Sequence, residues 1–542
     1  MTNFTSLPFE VLHHIISYLL SNADIAALAT QCRNLRLLCD MQRRKKYHQV
    51  RVRCDSYHLQ VAFDILMDIV RRPSLGHYVR RIECRAKLPI HAGYVKLAPQ
   101  RQLSDEDIQL LRVATRNAGF VDSQEDLVLN MLMQTSARRT DYGSFDLRAA
   151  KPDTTGTFVP QALAALLVSV SPNLQSMAMM PTGLYYDYHH RRDDKPPQFP
   201  LDQLLRRANE KSHTTPYLRS LREIYIINDP GRLLDDGRFY CEMDFLQCLT
   251  IVDNLPSIES VSTDLIEEDE NKTTGLQYQS SNISRISIRH ASVSSSYLTS
   301  IIFACRTLRE FQFSIGGRSN SDGSHPIFSP ETFIRGLLLH KETLEILDVD
   351  VESHIFRFQY ITNDPETEHQ IDRDEFQDRN DADERGAPAC LWQQQGSLKD
   401  FQSLKRLSLG IGFLIYFAKG INPDSSSNTL LVDCLPPSLE YLCIRGYRKG
   451  APSWDTQIDA LMESIRQGAS RLKEIEGVEE LIPHAVDVEN PDDDGHLLWK
   501  GDYGSTDDGP TDDGSTDDGS TDDESTDDES TDDSEDYQSD PE

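Results

Sequence analysis

One pattern recurs down the chain: an apolar residue, two of any kind, an apolar residue, one of any kind, and a third residue that is mostly apolar. It is found at Val79/Ile82/Cys84, Leu174/Met177/Met179, Leu221/Ile224/Ile226, Ile258/Val261/Thr263 and Ile283/Ile286/Ile288. It continues at Leu308/Phe311/Phe313, Leu344/Leu347/Val349, Leu404/Leu407/Leu409, Leu439/Leu442/Ile444 and a weaker Leu472/Ile475/Gly477. The last two positions of each frame alternate with the residue between them, so they predict one buried face of a short strand. Amphipathic segments fill most intervals and predict helices over Pro160–Val170, Leu201–Asn209, Met243–Asn254, Ser294–Cys305 and Pro330–His340. Tyr57–Val70 predicts one more, stopped by Pro73.

A strand and a helix repeated in this way predict an α/β fold, in which alternate strand residues enter a shared core and the helices cover it. Residues 75–480 resemble a leucine-rich-repeat domain of irregular units. In that family an asparagine usually follows three residues after the last apolar strand position. Here those places hold Thr182, Asp229, Ile266, Ala291, Gly316, Glu352, Gly412, Tyr447 and Glu480, so no asparagine ladder is expected in this register. A parallel sheet in a general α/β domain is the alternative. Three stretches interrupt the series, at 86–158, 181–200 and 352–397, the first predicted to hold helices over Asp105–Asn117 and Ser123–Gln134.

Ahead of the frames the spacing is helical. Val11, Leu12, Ile15, Ile16 and Leu19 form one stripe, opened by Leu7-Pro8 at a first-turn position where proline costs nothing. Ile25, Leu28, Ala29, Cys32, Leu35 and Leu38 form another, behind the capping-box-like Ser21-x-x-Asp24, and continue into a third helix. Three stripes in about 40 residues call for a partner surface. Leu7-Pro8, Glu10, Ile15-Ile16, Tyr18-Leu19, Asp24-Ile25, Leu28 and Cys32-Arg33 resemble the F-box, the adaptor-docking motif of SCF-type ubiquitin ligases. No aromatic residue stands from Leu35 to Leu37, where the family often has one.

The resemblance implies a three-helix F-box over 1–50, a leucine-rich-repeat-like α/β solenoid over 51–480 and a tail over 481–542. It implies a substrate receptor that binds a Skp adaptor, and through it a cullin ligase, while the repeats hold a protein target. Leu7, Pro8, Ile15, Ile16, Leu19, Ile25, Leu28, Cys32 and Leu35 would supply the adaptor contact or the packing behind it. The competing reading is a scaffold outside any ligase, binding basic partners through an acidic tail.

Charge changes this picture at both ends. The net charge is −32, yet residues 1–101 carry 16 Lys/Arg against 7 Asp/Glu and residues 487–542 carry 1 against 24. Six tandem units of the STDDG type fill 505–534 without a large apolar residue, which predicts a disordered polyanion. Ser505, Ser515, Ser520, Ser525 and Ser530 each precede an acid by three positions and are candidate phosphorylation sites. The basic run Arg43-Arg44-Lys45-Lys46 reads as a solvated helix end, with a nuclear-import or phosphate-binding patch as the alternative.

Candidate chemistry is sparse. No P-loop, GxGxxG, GxSxG, HExxH or CxxC pair is present, so an enzyme is not expected and no cofactor is implied. His189-His190 lack a placed third ligand, and Asp372-x-Asp374 is followed by Phe376 and Gln377 where a calcium loop needs an oxygen ligand and a glycine. The loop carrying Tyr185, Tyr186, Tyr188, Arg191 and Arg192 has the composition of an interface and is a candidate target-binding segment. Ten cysteines are scattered, mostly within apolar segments, as reduced thiols are. Ala162–Val170 and Ile411–Ala418 are too short to span a bilayer, and the start MTNFTS lacks a basic and apolar leader. The expected location is the cytoplasm, the nucleus or both, with neither membrane nor nucleic acid as partner.

Overall fold

A computed structural model describes residues 7–8, 11–12, 15–16, 19, 22–53, 55–85, 100–135, 159–182, 199–211, 214–228, 239–268, 276–320, 328–352, 389–421, 430–468 and 471–488. Thirteen strands lie among them: β1 (Gln49–Arg53), β2 (Arg81–Arg85), β3 (Ser176–Met179), β4 (Glu223–Ile226), β5 (Cys241–Met243), β6 (Ser260–Asp264), β7 (Ile266–Glu268), β8 (Arg285–Arg289), β9 (Glu310–Ser314), β10 (Ile346–Asp350), β11 (Arg406–Gly410), β12 (Tyr441–Arg445) and β13 (Glu474–Glu476). Eleven of them form one sheet in the order β1-β2-β3-β4-β6-β8-β9-β10-β11-β12-β13, with every neighbouring pair parallel. Each crossover therefore advances the chain in one direction along the sheet.

All ten frames contain a strand, and the pairing register aligns them position by position. Ile82, Met177, Ile224, Val261, Ile286, Phe311, Leu347, Leu407, Leu442 and Ile475 form one continuous row from β2 to β13. All but Ile475 are buried in the main core, against which Ile475 packs. A slip of one residue in any strand would turn that strand's row to the opposite face, so burial of this side fixes the register.

The crossover helices pack on the same side. Val159–Ser169 lies beside Pro200–Glu210, Ser295–Ala304 beside Pro330–Leu338, and Leu431–Cys434 beside Pro452–Arg466. Val159–Ser169 is buried almost all round, because Asp105–Asn117 and Ser123–Leu132 from the first interruption cover it. Under Pro330–Leu338 and Ile411–Lys419 the core is aromatic: Phe328, Phe333, Phe413 and Phe417 follow one another at centroid separations of 5.3, 6.3 and 6.2 Å.

Several expectations are corrected. The sheet begins at Gln49, inside the 1–50 span assigned to the helical element, because Val50 and Val52 are buried and pair with Ile82 and Cys84. Met243 belongs to β5 and the following helix is only Phe245–Thr250, started by Asp244, which accepts from Gln247 N at 2.8 Å. β5 pairs with β7 as a second small sheet, a left-handed turn at Leu265 (φ 60°) leads from β6 into β7, and His290 (φ 50°) makes a similar turn just after β8. The His290 ring is held 2.7 Å from Asp264, which secures a backbone conformation that side chains seldom adopt. The N-terminal region also carries a further helix, Met41–His48, beyond Asn22–Ala29 and Arg33–Cys39.

Candidate protein-interaction surfaces

The N-terminal helices have their own apolar cluster, separate from the main core. Leu12, Ile16, Ile25, Ala29, Leu35, Leu38 and Cys39 form its interior, with Leu7, Leu19, Leu28, Cys32 and Met41 packed at its rim. Of the nine residues assigned to adaptor contact, Ile16, Ile25 and Leu35 thus face inward. Leu7, Ile15, Leu19, Leu28 and Cys32 are half-buried, and Pro8 is exposed. Val11, placed by sequence in the first apolar stripe, is 43% exposed, and Leu37, outside the stripes, is 72% exposed. The Ser21 capping position lies outside the described residues.

Helix Met41–His48 joins this cluster to the sheet with no intervening loop, since its C-cap Gln49 is the first residue of β1. The basic run sits on this helix, and part of it is spent within the chain. Arg44 is buried, donates from Nε to Cys39 O at 2.8 Å and lies over the Tyr78 ring. Lys46 Nζ and Tyr47 Oη both donate to Asp68 Oδ2, at 2.9 and 2.7 Å, and Arg43 pairs with Asp40. This is a joint, built in part from residues that sequence read as a solvated helix end, with an import or phosphate-binding patch as the alternative.

The second surface is the face of the sheet opposite the helices. Residues alternating with the buried row point there: Glu83, Ala178, Tyr225, Ser262, Ser287, Gln312, Asp348, Ser408, Cys443 and Glu476. At the β1–β2 end the Glu83 carboxylate is 2.8 Å from Arg85 and 3.4 Å from each of Arg51 and Arg53. In the middle, Ala178, Met180 and Ile227 form a small apolar cluster with Tyr225 against it.

Toward β12 the face becomes an ionic network. Asp348 accepts from Arg289 Nη2 at 3.1 Å and from Arg445 Nη2 at 2.8 Å. Burial acts to lower the Arg445 pKa, but Asp348 and Asp350 outweigh it and hold the guanidinium above its usual range. Asp350 in turn meets His484 Nδ1 at 2.8 Å and the Ala485 N–H at 2.7 Å. Just past β10, burial pushes the Glu352 carboxyl up to about 7, opposed by the Gly412 N–H that donates to its Oε1 at 2.7 Å. Neither Asp348 nor Arg445 stood out in the sequence, because 97 residues separate them.

The tyrosine–arginine loop (Tyr185, Tyr186, Tyr188, Arg191, Arg192), His189-His190, Asp372-x-Asp374 and the serines at 505, 515, 520, 525 and 530 lie outside the described residues. Among the described residues no group of three His, Cys, Asp or Glu is placed to hold a metal ion, and no helix is long and apolar enough to cross a membrane. Eight cysteines, among them Cys248 and Cys305, form no disulfide, and burial raises the Cys305 thiol to about 12.

Residues 4–44 match the F-box-like family. F-box domains bind Skp-type adaptors in SCF-type assemblies. No curated protein matches the chain.

Proposed function

We propose that this protein is the substrate-recognition subunit of an SCF-type ubiquitin ligase. The observation that carries the reading is the F-box-like match over residues 4–44, which falls on a helical cluster packed apart from the main core. In this reading Pro8 and the outer edges of Leu7, Ile15, Leu19, Leu28 and Cys32 meet the adaptor, while Ile16, Ile25 and Leu35 hold the helices that present them. The parallel sheet and its helices act as an irregular leucine-rich-repeat-like solenoid, and its open face receives a protein target. The protein contributes no catalytic group; it raises the effective concentration of the target beside the ligase. The tail serves as a polyanion, modified at its serines, and the protein works in the cytoplasm, the nucleus or both.

The joint at Met41–His48 supports this reading, because a target held on the sheet then keeps a restricted position relative to the adaptor. The test is adaptor-dependent ubiquitylation. Proteins captured with the tagged chain should gain ubiquitin in cells when the wild-type chain is present, and should lose that gain with Leu7→Ala/Pro8→Ala. Capture without ubiquitylation in both would favour the scaffold reading instead.

A further inference from the structure

The network around Asp348 contains bonding capacity that the chain leaves unused. Strand register sets Ser287, Gln312, Asp348, Ser408 and Cys443 side by side across β8 to β12. One residue pair further along the same face stand Arg289 and Arg445. The Gln312 and Asp348 acceptors are engaged: Gln312 Oε1 takes Arg289 Nη2 at 2.7 Å and Ser287 Oγ at 3.1 Å, and each Asp348 oxygen takes one guanidinium. Asp350 is committed to His484 and the Ala485 N–H, with Arg445 Nε 3.8 Å away.

The donors are in surplus. Arg445 Nη1, Arg289 Nε and the Ser408 hydroxyl are buried and have no hydrogen-bond partner. Ser408 is only 8% exposed. Leaving such groups unpaired costs free energy that a folded chain rarely tolerates without a reason. Two guanidiniums, Arg289 and Arg445, meet Asp348, and Arg445 also faces Asp350. Arg289 and Asp348 keep 28% and 21% of their side chains in solvent, so the cluster can be reached from outside.

An incoming group must therefore bring oxygen acceptors in a geometry that suits guanidinium edges, and no apolar side chain lies among Ser287, Gln312, Asp348 and Ser408 to favour a hydrophobic one. A planar carboxylate satisfies both needs, because it can take two N–H bonds from guanidinium edges at once. We infer that the Arg289–Ser408–Arg445 cluster on the open face of the sheet binds a carboxylate of the target, presented by an acidic peptide segment. This rests on the reading of the sheet as the target platform and gives that platform a chemical preference.

The test uses the full chain. It is titrated with end-capped hexaglutamate, with end-capped hexaserine as a neutral control, and with hexa-alanine bearing a free C-terminus to tell a chain-terminal carboxylate from a side-chain one. Saturable binding of hexaglutamate is expected, with none for hexaserine, and Arg445→Met should weaken it about tenfold; binding of hexa-alanine alone would overturn the assignment to an acidic segment. Ser408→Ala should also weaken it while leaving the thermal unfolding temperature unchanged or higher, since it removes an unpaired hydroxyl. Because Ser408→Ala does not disturb an existing bond, it decides the matter should Arg445→Met fail to fold. Equal affinity in the wild type and Ser408→Ala, or no carboxylate binding in a wild-type chain that does bind the adaptor, overturns the inference and leaves the receptor reading in place. Carboxylate binding here by a chain that binds no adaptor would retire the receptor reading while leaving this site.

Discussion

The Ser257 hydroxyl donates to the Arg219 carbonyl at 2.6 Å, tying the turn before β6 to the turn before β4. The same stitch recurs along the sheet. Asn173 bonds to His77 O, Ser220 to Pro172 O, Asn282 to Leu255 O, Thr343 to Leu308 O, Ser403 to Glu342 O and Ser438 to Leu404 O. Each donor immediately precedes the first apolar residue of its frame. The sheet thus has a side-chain ladder at the start of its strands, whereas no asparagine ladder is expected beyond their ends.

Each stitch gives a turn carbonyl a side-chain donor from the next unit. Ser257→Ala should lower unfolding free energy by about 1 kcal/mol. Thr343→Ala should cost a similar amount, and since the two sites lie several strands apart the double variant should be close to additive. Denaturant unfolding of the three variants checks both points.

Glu352 gives stability a pH dependence. Its folded-state pKa of about 7 lies above its ordinary value of 4.5 because burial penalises the charged form. The folded protein therefore holds this proton more tightly than the unfolded chain, so the contribution is fully present below about 4.5 and is lost as pH rises to about 7. The total is on the order of 3 kcal/mol. Glu352→Gln keeps an oxygen for the Gly412 N–H and removes the charge. Its melting temperature relative to wild type should therefore be higher at pH 8 than at pH 5, and an equal difference at both would contradict the assignment.

Arg335 and Glu331 form a buried pair one turn apart on Pro330–Leu338, and Arg335 Nη1 also donates to Trp392 O at 3.0 Å. Removing only the guanidinium leaves the carboxylate buried without it. Arg335→Met should cost roughly 3–5 kcal/mol, and adding Glu331→Gln should recover much of that loss. Calorimetry of the single and double variants measures the difference.

Gly477 ends the last frame because nothing else fits. Its φ is 82°, and a Cβ there would run into the Ile444 carbonyl. Gly477→Ala should destabilise by more than about 1 kcal/mol, with the loss of amide protection concentrated in β12 and β13 on hydrogen exchange.

Most of the sheet was legible because one face of each strand is buried, and burial forces a period that sequence displays. The exceptions have physical reasons. β1 offers only Val50 and Val52 after a run of basic residues, too short an alternation to stand out from a helix end. β5 and β7 are three residues each, and Met243 sits beside a helix whose apolar spacing absorbed it. The stitch donors were visible as Asn, Ser or Thr ahead of most frames, but their meaning depends on carbonyls of the preceding unit. Residues of the open face were least legible, since the frame leaves their positions unconstrained and Arg289, Asp348 and Arg445 meet only after several crossovers.

The proposed function stands on the N-terminal helices as an adaptor-docking element. The direct measurement is the affinity of the purified full chain for a Skp-type adaptor, beside Leu7→Ala/Pro8→Ala. Pro8 is exposed and Leu7 is at the rim of its cluster, so this variant should keep the wild-type unfolding transition of the sheet. A stable complex with the wild type and at least a tenfold loss in the variant is the predicted result. No complex with the wild type, or equal affinity in both, would contradict it.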